Sequence, residues 1–258
     1  MQITRQIAPG VHWVGGNDRR LALFENMFPL PNGVAYNAYL ILDEKVALVD
    51  TVDSSVTRQF LENIDHVLNG RAIDYLVINH MEPDHCAYIE ELCHRFPGMK
   101  IVGNAKTFQM IRQFYDFCID GRTLEVKEGD RLELGERALR FFFAPMVHWP
   151  EVMFTFEETG GILFTADAFG TFGALPGNIF SDEVDFENLF LDEARRYYAN
   201  IVGKYGPQVQ SALKKVSGLR IQLLCPLHGP VWRKNIEYFI SKYDLWSRYE
   251  PEKRGVVL

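Results

Sequence analysis

The sequence predicts an α/β fold: two β-sheets packed face to face with helices outside, in one domain over residues 1–258. Three observations predict it. Short β-rich runs fall in two blocks, and each block is followed by helical patterns. No internal repeat, low-complexity tract or linker divides the 258 residues. The composition, 47% hydrophobic and 24% charged, is that of a globular chain able to bury a real core.

The first block opens with a short apolar strand at 11–15. Residues 36–42 and 45–51 are two β-rich runs separated by the turn residues Asp43 and Glu44. Ser54 opens a helix that carries Val56, Phe60, Ile64 and Leu68 at helical spacing, with Asn69-Gly70 as its stop. Residues 75–79 form a buried-strand run ending on His80. A helix at 89–96 is closed by Pro97-Gly98, a strand follows at 100–102, and a helix at 107–117. The second block has strands at 124–126, 131–134, 138–144, 153–156 and 161–165. Residues 170–185, rich in Gly and turn formers, predict a loop. Helices at 186–204 and 207–216, a strand at 221–225 and a closing helix at 235–248 complete the pattern.

The bulk numbers exclude some classes of function. A formal net charge of -7 with no long basic run gives no footing for nucleic acid or an acidic membrane. No stretch reaches the roughly 20 apolar residues that span a bilayer, and the first ten residues carry no signal-peptide pattern. Cys86, Cys93, Cys118 and Cys225 form no CxxC pair and predict buried free thiols rather than a disulfide framework. The expectation is a soluble, cytoplasmic protein.

Ionisable residues recur where strands end. His80, His148, Asp167 and His228 each follow an apolar strand, so neighbouring strands would bring them to one sheet edge. The segment His80-Met81-Glu82-Pro83-Asp84-His85 adds a dense group of potential ligands, and Pro83 stiffens it. Buried charges must be paired or bind metal, so His80, Glu82, Asp84, His85, His148, Asp167 and His228 are read as one metal constellation. Four imidazoles and three carboxylates, with no thiolate, suit redox iron or manganese better than a structural zinc. Seven ligands are too many for one ion. Three per ion plus one shared carboxylate uses all seven, and Asp167, alone between two His-bearing loops, is the natural bridge.

The pattern H-x-E-x-D-H followed by His148, Asp167 and His228 resembles the flavodiiron proteins, which have a metallo-β-lactamase-like αββα sandwich and reduce O2 or NO at a di-iron centre. Tyr36-Asn37-Ala38-Tyr39-Leu40, His148-Trp149-Pro150, Ala194-Arg195-Arg196-Tyr197-Tyr198-Ala199-Asn200 and Pro226-Leu227-His228-Gly229-Pro230 match as well. The resemblance assigns His80, Glu82 and His148 to one iron and Asp84, His85 and His228 to the other. Asp167 bridges, along with an oxo, hydroxo or oxygen-derived ligand. It gives Tyr197 a catalytic role, as donor of a hydrogen bond or electron to bound oxygen. Trp149 is expected to wall the pocket, and Asn37 and Asn79 to orient ligands. His12, His66 and His94 match no ligand position.

Two departures from the family pattern shape the expected function. Glu25 stands where many members carry a His near the irons. Residues 254–258 look like the start of the family's flavodoxin-like domain, where the sequence stops, so no FMN is expected on this chain. The resemblance then implies an O2-binding (or NO-binding) di-iron protein acting as a sensor or carrier. The alternative is an O2 or NO reductase, an oxidoreductase fed by a separate flavodoxin or rubredoxin chain. A zinc hydrolase is the remote third reading, because hydrolases of the superfamily usually show H-x-H-x-D-H and Glu82 replaces the second His. A separate electron-donor or signalling protein and a homodimer are the implied partners.

Overall fold

In the computed structural model, which describes residues 2–253 and 255, the chain builds two large sheets. Of the stretch 254–258 read above as the start of a further domain, all but Gly255 lies outside the described residues. The first sheet has seven strands, in spatial order Arg5–Ala8, Val11–Trp13, Tyr39–Ile41, Ala47–Val49, Tyr75–Val77, Lys100–Gly103 and Thr123–Glu125. Its early half is antiparallel, and from Ala47–Val49 onward neighbours run parallel. The second sheet has five strands, Arg131–Glu133, Ala138–Phe143, Met153–Glu157, Ile162–Phe164 and Leu223–Cys225. All its pairs are antiparallel except the last.

The central strands Tyr39–Ile41, Ala47–Val49 and Ile162–Phe164 are buried at every position. Strands read this way when both faces are covered. Helices cover one face of each sheet: the helix Thr57–Leu68 buries Phe60, Ile64 and Leu68 and leaves its charged residues outside. The inner faces meet each other, with the Tyr39 and Phe164 rings 5.1 Å apart. Both sheets feed one continuous apolar core. Among the described residues, no helix is long and apolar enough to cross a membrane.

Local chemistry explains where the expected elements shift. The run 36–42 is two strands, Val34–Tyr36 and Tyr39–Ile41. The break falls at Asn37, whose N–H leaves the ladder and donates to the Leu227 carbonyl at 2.7 Å. The helix expected at 107–117 is Ala105–Phe114. Asn104 caps it, accepting the Lys106 and Thr107 N–H groups, and Tyr115 turns extended. The helix expected at 186–204 is broken into Phe186–Leu189, Leu191–Tyr197, a π-turn at Tyr198–Val202 and a 3-10 turn at Gly203–Tyr205. Gly203 and Gly206 are weak helix formers, and Gly206 lies so close to Ser247 and Tyr249 that a side chain would collide. The loop 170–185 carries one 3-10 turn, Ser181–Glu183. Of the four cysteines, Cys86, Cys93 and Cys225 are buried free thiols, but Cys118 is exposed.

Candidate metal centre

Backbone hydrogen bonds tie the ligand-bearing loops together where they leave the sheets, both between the sheets and within the second one. The Met153 N–H donates to the Asn79 carbonyl at 3.1 Å, and the Leu227 N–H to the Ala166 carbonyl at 2.9 Å. These bonds and the Asn37–Leu227 bond bring the loops after Tyr75–Val77, Ala138–Phe143, Ile162–Phe164 and Leu223–Cys225 to one rim. The segment 80–85 is not a plain loop: Pro83–Cys86 forms one helical turn with Pro83 in its first position, where no N–H is required. That turn presents Asp84 and His85. Asn37 accepts from the Trp13 indole N–H at 2.7 Å and donates to the Pro226 and Gly229 carbonyls at 2.8 and 2.9 Å. The Tyr39 hydroxyl donates to the same Pro226 carbonyl at 2.7 Å. Asn37 thus holds the turn that carries His228. Asn79, also expected to orient a ligand, accepts instead from the Thr155 hydroxyl at 2.7 Å.

The structure brings all seven candidate ligands together, and all are buried. They fall into two groups, His80, Glu82, His148 and Asp167 in one, Asp84, His85 and His228 in the other. In the first, His148 Nε2 lies 3.1 Å from Glu82 Oε2, 3.0 Å from Asp167 Oδ2 and 3.3 Å from His80 Nε2. In the second, His85 Nε2 lies 3.1 Å from His228 Nε2 and 3.4 Å from Asp84 Oδ2, and His228 Nε2 lies 3.3 Å from Asp84 Oδ2. Asp167 reaches both groups: Oδ2 faces His148 and His80, and Oδ1 lies 3.1 Å from His85 Nε2 and 3.5 Å from His228 Nε2.

These spacings fit metal ions. Ligand bonds of about 2.1 Å at tetrahedral or octahedral angles put neighbouring donors about 3.0–3.4 Å apart. The paired imidazole nitrogens, His80 with His148 at 3.3 Å and His85 with His228 at 3.1 Å, converge on one point in each group, as ligands of one ion do. Both carboxylate oxygens of Asp84 and Oδ1 of Asp167 are buried with no hydrogen-bond partner, a cost that a bound cation removes. No Lys or Arg stands among the seven. The imidazoles register the surplus negative charge. Burial opposes their charged forms, yet hydrogen bonds donated to Asp167 and Glu82 push His148 up to about 9. His85 also rises to about 9, burial being outweighed by Asp84 and Asp167. Burial works against the Asp167 carboxylate, but His85, His148 and His80 hold it well below the usual range. Such a site favours positive charge, and neutral imidazole plus a metal ion supplies it.

The surroundings are mostly aromatic. Phe24 and Tyr36 pack edge-on to the His228 ring, with centroids 5.4 and 5.6 Å away. Tyr197 lies 5.4 Å from the same ring; it is fully buried, and its hydroxyl has no hydrogen-bond partner. Gly170 makes room for it, since a Cβ there would meet the Tyr197 ring at 2.8 Å. Trp149 packs on the other side, 5.3 Å from His80 and 6.1 Å from His148. An opening of about 200 Å³ beside His148 is lined by Glu25, Trp149, Asn200, Ile201, Lys204 and Tyr205. Glu25 sits in the left-handed region, on a tight hairpin tip. A hydrogen bond with Glu82, helped by partial burial, pushes its carboxyl up to about 8. His12, His66 and His94 lie on the strand Val11–Trp13 and on the helices Thr57–Leu68 and Ile89–Arg95, none within either group.

Two residues behind the ligands escaped the sequence reading. Glu151, buried, accepts from His80 Nδ1 at 2.8 Å. Asp50, also buried, accepts the Asn79 and His80 backbone N–H groups through Oδ1 at 2.7 and 3.2 Å. The available signal for Glu151 was a lone carboxylate three positions after His148, directly before an apolar strand. For Asp50 it was a carboxylate closing an apolar strand.

A family model described as ODP family beta lactamase matches residues 34–229. A nitric oxide reductase of Moorella thermoacetica is 34% identical over 254 residues, which cover 97% of this chain and 63% of that protein. An anaerobic nitric oxide reductase flavorubredoxin of Aeromonas hydrophila is 36% identical over 248 residues, covering 95% and 50%. Among solved structures, the flavodiiron protein from Giardia intestinalis superposes with a TM-score of 0.89 at 30% identity, covering 95% of this chain and 59% of that one. Rubredoxin oxygen:oxidoreductase from Desulfovibrio gigas gives 0.88 at 32%, covering 96% and 62%. The chain therefore spans about half to 63% of the length of these curated relatives. It belongs to the ODP family of β-lactamase-type domains, the metallo-β-lactamase-like unit that it shares with flavodiiron proteins.

Proposed function

We propose that this domain is the di-iron centre of an O2 or NO reductase, with electrons delivered by a flavin or rubredoxin group outside residues 1–258. The observation that carries the reading is Asp167, which turns one oxygen toward each of two buried three-donor groups. In this reading His80, Glu82 and His148 hold one ion, Asp84, His85 and His228 the other, and Asp167 spans both. Similarity to proteins called nitric oxide reductase and rubredoxin oxygen:oxidoreductase favours turnover over the sensor or carrier role expected from sequence. The resemblance extends the reading to a homodimer, which light scattering checks.

Two iron ions held there would supply the coordination positions and the redox electrons that O2 or NO reduction requires. The chain's residues do the rest. Phe24, Phe172, Tyr36 and Trp149 keep bulk water off the donors, and a dry site strengthens every charge interaction in it. The Ala35 carbonyl, 2.7 Å from His228 Nδ1, fixes the proton there and turns Nε2 toward the ion. Tyr197 offers a buried hydroxyl with no other partner, so it is free to donate a hydrogen bond to a small ligand in the site.

The test is anaerobic reconstitution with Fe(II), a metal count, and exposure to O2 or NO with and without a reduced flavodoxin-type donor. Two irons per chain and gas consumption that depends on the donor support the reductase. Two irons with a long-lived O2 adduct and no turnover under any donor would restore the sensor reading. Two tightly held zinc ions and hydrolysis of an ester or lactam would overturn both.

A further inference from the structure

We propose that Glu151 is a positioning residue that makes the two metal positions unequal: the His80–Glu82–His148 position takes its ion first and holds it more tightly. The inference rests on the metal-centre reading above. Glu151 Oε1 accepts from His80 Nδ1 and from the Met81 N–H, both at 2.8 Å. Its own carbonyl accepts from Asn104 Nδ2 at 2.6 Å, which pins the residue in place. The side chain is fully buried. To make its bond, Nδ1 of His80 must carry the proton. Its Nε2 lone pair then faces Glu82, His148 and Asp167. A carboxylate behind an imidazole makes that imidazole a more basic ligand and adds negative charge beside the ion.

The other position has no such support. His228 Nδ1 donates to a neutral carbonyl, that of Ala35. His85 Nδ1 has no partner. Asp50 is near both His85 and His80, but its Oδ1 is taken by backbone N–H groups and it bonds to neither ring. The positions differ in two further ways, neither of them a carboxylate bonded behind an imidazole: Glu25 hydrogen-bonds Glu82 in the first group, and the partnerless Asp50 Oδ2 is buried near His85. Each position has one carboxylate of its own, Glu82 or Asp84, and one oxygen of Asp167. Among the described residues, Glu151 is the carboxylate that hydrogen-bonds the far nitrogen of a ligand imidazole, and it does so at one position only.

The experiment titrates the metal-free protein anaerobically with Co2+, followed by calorimetry and visible absorption. Wild type is expected to bind in two resolved steps. Glu151→Gln keeps the shape and an oxygen able to accept both bonds, but deletes the charge. It is expected to weaken the tighter step by about 10–100-fold and leave the weaker step in place, with an unchanged far-UV circular dichroism spectrum. A second measurement needs no variant. One equivalent of Zn2+ should shift the imidazole NMR signals of His80 and His148 before those of His85 and His228. Two equal steps in wild type, a Gln variant that titrates like wild type, or His85 and His228 responding first would each overturn the proposal. A wild type that binds no second ion at all is a different result, and sinks the metal-centre reading itself.

Discussion

The seven-residue centre and the cluster around Glu252 are both built from charged side chains, yet their charges are balanced differently. Glu252 is met by protein cations: Arg195 reaches its two oxygens at 2.7 and 3.0 Å, Lys242 at 2.6 Å, and the Trp246 indole N–H at 2.8 Å. Arg195 and Lys242 keep 38% and 20% of their side-chain surface in solvent, so the cluster is closed without deep desolvation. At the centre, Glu82, Asp84 and Asp167 are buried and meet imidazoles and, at Glu82, the Glu25 carboxyl, with orphaned oxygens among them. The Glu252 carboxylate is neutralised by cations of the chain itself. Where buried carboxylates have no lysine or arginine, as at Glu82, Asp84 and Asp167, imidazoles and a bound cation are the groups that can supply the missing charge.

The largest effect expected on this contrast is from Asp167→Ala. It removes a donor from both groups, so metal content should fall from two ions to fewer than one, measured by elemental analysis after dialysis. A variant that still held two ions would end the bridging role of Asp167. Removing metal with a chelator comes next. Each ion present at about 100 times its Kd stabilises the fold by about 2.7 kcal/mol. Loss of two should lower Tm by roughly 10–20 °C for a chain of this size. The Glu252 cluster should show no response of its own to the chelator, and a calorimetric scan of Glu252→Gln with and without chelator should give the same drop as wild type.

Tyr197→Phe isolates one hydroxyl of the centre. It removes a buried group that has no partner, so stability and metal content should stay level or rise slightly. Donor-dependent O2 or NO consumption should fall by about tenfold. Unchanged turnover would leave Tyr197 as a packing residue among Phe24, Phe172 and His228.

The surface cluster gives a smaller effect with a definite pH signature. Bonds from Arg195, opposed by burial and aided by Lys242 and Trp246, pull the Glu252 carboxyl down to about 2 from its ordinary 4.5. A folded-state pKa below the unfolded one stabilises the protein above the unfolded value and is lost as pH falls through the folded value. Glu252→Gln should therefore cost about 1 kcal/mol at neutral pH. The difference from wild type should shrink from about pH 4.5 and vanish near pH 2, as read from urea midpoints. Smallest of all is Arg58→Ala. It breaks the Arg58–Glu62 pair on a helix, in which Arg58 is 93% exposed, and the urea midpoint should be indistinguishable from wild type.

Much of this was legible in the chain. The apolar runs marked the strands of the two sheets except the edge strand Arg5–Ala8, whose first two residues are exposed, because burial on one or both faces writes a period into the sequence. His80, Glu82, Asp84 and His85 announced themselves by density, and His148, Asp167 and His228 by their place after apolar strands. Helix ends were less legible. The break at Tyr198–Val202 and the early start at Ala105 depend on contacts with distant residues, Ser247 and Tyr249 in one case, and on a cap that propensity alone does not rank in the other.

The sequence by itself determined the donor inventory: four imidazoles, three carboxylates, no thiolate, and Glu82 in the second position of the dense segment. Ligand type is a property of the residues and needs no geometry. The resemblance had also divided those donors into two sets with Asp167 between them, and the tertiary structure supplied the distances. The turning of one Asp167 oxygen toward each group, and the placing of Glu151 behind His80 while His85 Nδ1 has no hydrogen-bond partner, are set by loops from two sheets meeting at one rim. Distances between residues far apart in sequence follow from how the sheets pack, and packing is a property of the whole chain rather than of any segment.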